Sequence, residues 1–378
     1  MAVEGITKLP ITIKNDEATK LFMQLSNISG EIGRLDEKYK SSMLQSGFIN
    51  LLALNESVQS TRIEGTQVTF TDMIEQSNKT DKNSNYIEVM NYQKALLVGE
   101  ERIKNGYPIT TRLILELHSI LIDGARGSNL SPGDFRKIEN WIGPTKKRED
   151  AVYIPIAANE IEEYLSNWET YANGLPYDRK MSLDHLGTVE GMVLDEDTHP
   201  LLKIAILHAQ FESIHPFLDG NGRLGRILIA LYMMQTKQIS APLFFVSEEL
   251  ETKRAKYYAL LNKTRGNRPD WYSWLHFFLE ASERMTNRLN KLLDDANTIA
   301  RSGLKKCKTT SEKHVYLYTF SNPNATAPIV AKTLGISQTT ARRALNSLAD
   351  YDLIYRDQSM IRNIQYFNYD VLELINKK

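Results

Sequence analysis

The chain has 378 residues, of which 42% are hydrophobic and 24% charged, a composition that suits a globular protein of two or three domains and excludes wholesale disorder or a collagen-like fold. Its 46 basic and 46 acidic residues give no net charge, so the whole molecule is no generic polyanion binder, although a local basic patch is allowed. The single cysteine, Cys307, excludes an intramolecular disulfide and a cysteine-only zinc site and fits a reducing compartment.

The first ten residues lack a charged start followed by an apolar run, which argues against a secretory signal and for a cytoplasmic protein. From Asp16 to Gly65, Leu21, Phe22, Leu25, Ile28 and Ile32 fall at helical spacing and predict a helical N-terminal region. Residues 77–85 read as a loop, after which the spacing resumes through Val89, Tyr92 and Leu96 and again over 113–122. A Ser131-Pro132-Gly133-Asp134 turn and two short apolar runs, 138–142 and 151–154, predict a small hairpin with a charged tip. Helical patterns return over 161–173, 201–211, 223–236 and 271–293, so the centre is a helical bundle. The longest apolar stretch, 227–234, is far short of the roughly 20 residues that span a bilayer, and no membrane partner is expected.

Residues 298–308, with Arg301, Lys305, Lys306 and Lys308, read as a linker, and a last domain begins near Thr309. Three helices are expected there, over 312–320, 327–334 and 338–350, with Ser337 capping the third and strand-like 354–357 and 364–369 behind them. This order resembles a winged helix-turn-helix. Residues 305–378 hold eleven Lys and Arg against six Asp and Glu, a net +5, so residues 309–378 are a candidate DNA-binding surface, with a protein-binding or dimer surface as the alternative.

The most informative stretch is His215-Pro216-Phe217-Leu218-Asp219-Gly220-Asn221-Gly222-Arg223-Leu224-Gly225-Arg226, between two helical runs. Gly220 and Gly222 let the backbone turn with its amides exposed, and the following helix presents unpaired N–H groups and a positive dipole end at the same place. Arg223 and Arg226, three apart, project from one face of its first turns, and two cations there oppose the dipole unless an anion compensates. Asp219 suits one magnesium that shares substrate phosphates, and His215 is a base at neutral pH.

The segment resembles the signature of Fic-domain proteins, HPFx(D/E)GNGRxxR, with every fixed position filled. The resemblance implies AMP transfer from ATP to a hydroxyl side chain of a target protein. His215 would be general base, Asp219 the magnesium ligand, and Gly220, Asn221 and Gly222 would surround the phosphates. Arg223 and Arg226 would hold the phosphate chain, and Phe217 would pack under the loop. A kinase-like branch of the family carries lysine where this chain has Gly222, which favours nucleotidyl transfer.

Upstream, Ser60-Thr61-Arg62-Ile63-Glu64-Gly65 closes a helix-compatible run, with Gly65 a natural stop and Glu64 at an end where negative charge gains from a cationic partner. It resembles the inhibitory motif (S/T)xxxE(G/N) of Fic proteins, in which the glutamate pairs with the signature's second arginine, here Arg226. In some relatives the same glutamate positions water to remove AMP. Residues 135–143 with Tyr153-Ile154-Pro155 resemble the family's flap, which aligns a target segment by strand addition. Tyr257 and Tyr258 match positions near the adenine, with Tyr258 the candidate to stack on it, whereas His118 and His208, on apolar helices, are expected to be structural.

The expected fold is mainly α: an N-terminal helical region with the inhibitory motif (1–105), a Fic catalytic core with a small hairpin flap (106–297), the linker (298–308) and a winged helix-turn-helix domain (309–378). The expected function is that of a protein adenylyltransferase using Mg2+ and ATP, autoinhibited by Glu64. Alternatives are an enzyme removing AMP at the same site, or a DNA-binding regulator whose Fic core senses nucleotide. Relatives commonly form homodimers, so the resemblance allows one here.

Overall fold

A computed structural model of the chain describes residues 2–77, 83–124, 131–145, 147–175, 179–186, 190–360 and 363–377. Most of the loop expected over 77–85, and positions 361 and 362 between the last two strands, lie outside the described residues. The chain is mainly helical. It opens with β1 (Val3–Glu4), β2 (Ile11–Ile13), α1 (Asn15–Ser41), α2 (Gln45–Ile63), α3 (Phe70–Gln76), α4 (Ser84–Lys104) and α5 (Thr111–Leu121). Next come β3 (Tyr153–Ile154), α6 (Ile161–Asn173), β4 (Met192–Leu194), α7 (Pro200–Ile214), α8 (Asn221–Gln235), α9 (Ser247–Thr252), α10 (Arg254–Lys263) and α11 (Trp271–Lys306). The last are α12 (Thr310–Tyr318), β5 (Asn324–Thr326), α13 (Ala327–Leu334), α14 (Gln338–Asp350), β6 (Tyr355–Arg356), β7 (Gln365–Phe367) and α15 (Tyr369–Asn376). Among the described residues no helix is long and apolar enough to cross a membrane.

Two compact units make up the chain, one of residues 2–33, 59–67 and 83–286, the other of 34–58, 68–77 and 287–377. In the first, α7 is the core. It starts with Pro200, the His199 ring accepts from Leu201 N–H (3.2 Å), and every residue from Leu201 to Ile214 is buried. A helix apolar on nearly all sides is stable only in the middle of a bundle, where each fully buried Leu or Phe contributes roughly 2–3 kcal/mol. Helices α6 and α8 flank it, α10 packs on it, and α4 and α5 pack on α8. Trp168 and Trp274 reach α7 from two sides and donate their indole N–H to the carbonyls of Leu207 (2.8 Å) and Ala205 (2.9 Å). With α7 and α8 both buried, the connection between them, 215–220, is fixed at either end.

The hairpin expected before residue 155 is reduced to one antiparallel bridge, Ile142 to Tyr153. The other edge of β3 pairs in parallel with β1, and β2 pairs antiparallel with β4.

In the second unit, β5, β7 and β6 form a three-stranded antiparallel sheet in that order, and α12 and α13 pack on α14 around Val315, Phe320, Leu345, Leu348 and Tyr366. Thr309 and Glu312 cap α12 reciprocally, and Ser337 accepts from Thr340 N–H at the start of α14. The stretch read as a linker is helical as far as Lys306. Its small residues Ala300 and Gly303 face inward, Tyr316 Oη donates to Ile299 O (3.2 Å), and its basic residues stay outside. Helix α15 was not foreseen. Its eight residues are too few for periodicity to stand out, but Asn368 caps it by accepting from Val371 N–H.

Candidate active site

His215 ends α7 with φ +49, and Gly220, at φ +81, starts α8. Between them the loop is cross-braced by one side chain. Asn221 Nδ2 donates to Phe217 O (2.8 Å), and its Oδ1 accepts from Phe217 N–H (2.9 Å). The Asn221 side chain therefore faces the loop, leaving its backbone amide for an anion. Below, the Phe217 ring stacks on His118 at 3.7 Å. The Gly133 N–H donates to His118 Nδ1 (3.0 Å), which leaves the proton on Nε2 for the carbonyl of Asp219 (3.0 Å). Burial holds the His118 ring neutral, with its pKa down to about 4. His118 is thus structural, as expected, and its role is to support the loop. Asn221→Ala removes two buried hydrogen bonds and strands the Phe217 N–H, so we expect thermal unfolding to report a loss of about 2–4 kcal/mol.

The two arginines of the loop have different partners. Arg223, 3% exposed, donates to Asp219 Oδ1 (3.1 Å) and lies 3.7 Å from Glu88 Oε2. Its Nε and Nη1 are buried with no hydrogen-bond acceptor among the described residues. Asp219 Oδ1 also accepts from Gly220 N–H (2.6 Å), and its side chain stays about one-third exposed (35%).

Arg226, 1% exposed, donates through Nε to Ser60 Oγ (2.8 Å) and through Nη2 to Ser60 O (3.1 Å) and Glu64 Oε1 (2.6 Å). Burial disfavours both charges. The pair overrides it, holding the Glu64 carboxyl below the usual range and the Arg226 guanidinium above its own. Glu64 follows the last turn of α2, and Gly65, at φ +94, turns the chain away. The carboxylate lies directly against the backbone of Gly222, where even a methyl group would overlap Glu64 Oε1. Glu64 thus occupies the space over the start of α8 in which an anion would sit. Tyr258 is close by and 39% exposed, its hydroxyl donating to Ile63 O (3.3 Å), whereas Tyr257 is buried and hydrogen-bonds His208 Nε2 (2.9 Å).

His215 Nδ1 lies 3.3 Å from Glu212 O. A carbonyl only accepts, so Nδ1 carries the proton and Nε2 keeps its lone pair. Burial lowers the His215 pKa to about 4, assisted by the charges of Arg265 and Arg136, so the ring is neutral at pH 7. These two buried arginines were not anticipated. Arg136 donates to the carbonyls of His215 (2.9 Å), Ile138 (3.1 Å) and Ile156 (2.5 Å), and Arg265 donates to Ser213 Oγ (3.0 Å) and Glu212 O (3.3 Å). Together they cap the C-terminal end of α7, where cations meet the negative end of the helix dipole. Glu88, Thr66 (whose hydroxyl donates to Glu88 at 3.0 Å) and Glu212 were missed as well. Burial raises the Glu212 pKa to about 7.

A helix entry with free backbone amides, a neutral histidine and the part-exposed carboxylate of Asp219 thus lie along one loop of a helical bundle, an arrangement that suits a phosphate group. The comparisons make this specific. Residues 108–233 match the Fic/DOC family and residues 22–101 the Fic/DOC family N-terminal region. The chain is a Fic-domain protein. Protein adenylyltransferase Fic of Drosophila erecta is 24% identical over 176 residues, which is 47% of this chain and 28% of that protein. Protein adenylyltransferase fic-1 of Caenorhabditis briggsae is 27% identical over 159 residues, covering 42% and 25% respectively. The chain thus spans about a quarter of the length of the curated relatives it matches. Among solved structures, a Fic family protein from Desulfovibrio desulfuricans has a TM-score of 0.53 at 19% identity, covering 91% of this chain and 95% of that one. A Fic domain containing signaling protein from Bacteroides thetaiotaomicron has 0.51 at 17%, covering 71% and 97%.

Proposed function

We propose that this chain is a protein adenylyltransferase, moving AMP from Mg-ATP to a hydroxyl side chain of a protein target, and that Glu64 restrains it. The observation that carries the reading is Arg223, a buried cation in the first turn of α8 whose Nε has no acceptor among the described residues and whose Nη1 meets Glu88 only at 3.7 Å, just after a loop that begins at a neutral histidine. That combination suits a polyphosphate and a proton acceptor together. The adenylyltransferase names of the relatives support the same reading.

In the reaction, His215 Nε2 takes the hydroxyl proton as the target oxygen bonds to the α-phosphorus. The bond from that phosphorus to the bridging oxygen breaks, and pyrophosphate leaves. Arg223 and the first amides of α8 stabilise the phosphate charge, and Arg226 joins them once Glu64 withdraws. Asp219 would hold magnesium, as a single half-open carboxylate suits an ion that completes its shell with phosphates and water. No group of three or more His, Cys, Asp or Glu able to hold a metal occurs among the described residues. Bound there, magnesium supplies neutralisation of the phosphate charge. Mass spectrometry of the protein after incubation with Mg-ATP, alone and with a cell extract, tests the reading. Addition of an adenylate to a Ser, Thr or Tyr supports it, whereas addition of a bare phosphate, or of nothing by any variant, refutes it.

A further inference from the structure

His215, Asp219, Arg223, Arg226 and Glu64 all lie in the first unit, and the second carries a surface of a different chemistry. We propose that this surface binds duplex DNA, with α14 lying in the major groove and Arg356 of β6 against the neighbouring sugar-phosphate backbone.

Helix α14 has two faces. Ala341, Ala344, Leu345 and Leu348 are buried against the unit, while Gln338, Thr339, Arg342 and Arg343 are exposed along its first half. It follows α13 through a tight turn at Gly335, φ +65, and β6 and β7 of the three-stranded sheet come after it in the chain. In a helix-turn-helix, the N-terminal half of the second helix reaches base edges while neighbouring elements contact the phosphates. The side chains fit that use. Gln and Thr have both donors and acceptors for base edges, and Arg pairs in bidentate fashion with guanine or grips phosphate.

The hairpin is tied to this helix. Tyr366 of β7 donates its hydroxyl to Asn346 of α14 (2.7 Å), and Arg356 of β6 is the cross-strand neighbour of Tyr366. Asn346 follows Arg342 and Arg343 by one helical turn, so this bond holds the strand that pairs with Arg356 to the helix that carries those two arginines.

Charge decides between nucleic acid and a protein partner. From Lys313 to Ala349 the sequence contains no Asp or Glu, although the protein as a whole is neutral. Lys332, Arg342, Arg343 and Arg356 are exposed, and none forms an ion pair among the described residues. Along α13 and α14 three exposed cations, Lys332, Arg342 and Arg343, meet no carboxylate in sequence until Asp350, and with the polar face of α14 they complement a polyphosphate better than an apolar protein surface.

The test uses the full chain and a fluorescent random-sequence duplex of about 30 base pairs, with binding followed by anisotropy from about 50 to 200 mM salt. We expect a dissociation constant of roughly micromolar order at low salt and a log-log salt slope of about −3 to −4, as four phosphate contacts predict. The double variant Arg342→Glu/Arg343→Glu should bind at least about tenfold more weakly, with a slope smaller by about two. The same two-charge reversal at Lys14 and Lys20 in the other unit should leave binding unchanged. No binding at low salt by the wild-type chain overturns the proposal, as does equal weakening by both reversals or an unaltered slope in the Arg342/Arg343 variant of unchanged melting temperature.

Discussion

Glu64→Gly is expected to raise the rate of AMP transfer by on the order of a hundredfold at saturating Mg-ATP. Arg226 has one guanidinium and two claimants, the Glu64 carboxylate and the phosphate chain. Its Nη2 now donates to Glu64 Oε1 at 2.6 Å, and the carboxylate covers the backbone of Gly222. Opposite charges at about 4 Å and an effective dielectric near 20 attract by roughly 4 kcal/mol. The Glu64 side chain is 34% exposed, and solvent screening discounts that by about half. Every 1.4 kcal/mol is about tenfold, so release of the arginine is worth about one to two powers of ten, and clearing the phosphate space adds to it. Glu64→Gln separates the two contributions, as it keeps the bulk and removes the charge, and its rate should fall between parent and glycine variant. The exchange also has a stability signature. Without nucleotide the glycine variant leaves a buried guanidinium that, among the described residues, hydrogen-bonds Ser60 alone, and it melts lower than the parent, while ATP raises its melting temperature by the larger increment. Equal incorporation of label by parent and Glu64→Gly removes Glu64 from the mechanism.

How much of this was legible in the sequence depends on the distance over which each interaction acts. The α7–α8 loop is a local object whose chemistry lies within twelve consecutive residues, and its geometry follows from positive φ at Gly220 and from an asparagine bonding four residues back. Helices α6, α7, α8 and α14 were equally plain, because apolar positions repeat over several turns within each. The pairing of Glu64 with Arg226 spans 162 positions, and only the resemblance to an inhibitory motif suggested it. Arg136 and Arg265 had no such aid. An arginine whose partners are carbonyls 78 or 79 residues away looks in sequence like any exposed cation. The segment 298–306 misled for the opposite reason. Its lysines suggested a solvated linker, whereas Ala300 and Gly303 on the opposite face allow α11 to continue against Tyr316.

His215→Ala should reduce transfer by about two to four powers of ten while leaving ATP binding within a few-fold of the parent, since the ring supplies a proton acceptor and no charge to the phosphates. A variant that still transferred AMP at the parental rate would end the assignment of this base. The pH dependence is more demanding. With its pKa lowered to about 4, His215 stays neutral and competent far below the ordinary histidine range, so the acid limb of kcat/KM in the Glu64→Gly background should lie near pH 4 to 5 rather than near 6.5. Burial is the first cause of that shift and Arg265 and Arg136 add to it, so Arg136→Met, which removes one buried cation, should move the limb to higher pH and lower kcat by loosening the end of α7. The same ring makes a stability prediction whose sign is fixed. Between about pH 4 and 6.5 the unfolded histidine binds a proton that the folded one refuses, so folding stability falls as the pH drops through that window, and His215→Ala should flatten the fall. Glu212 works in the other direction. Its carboxyl, raised to about 7 by burial, holds a proton that the unfolded chain releases above about 4.5, so its contribution is present at low pH and lost as the pH rises toward 7. Glu212→Gln, neutral at every pH, should remove that loss, and melting curves of the two variants from pH 4 to 7 should diverge from the parent at opposite ends of the range.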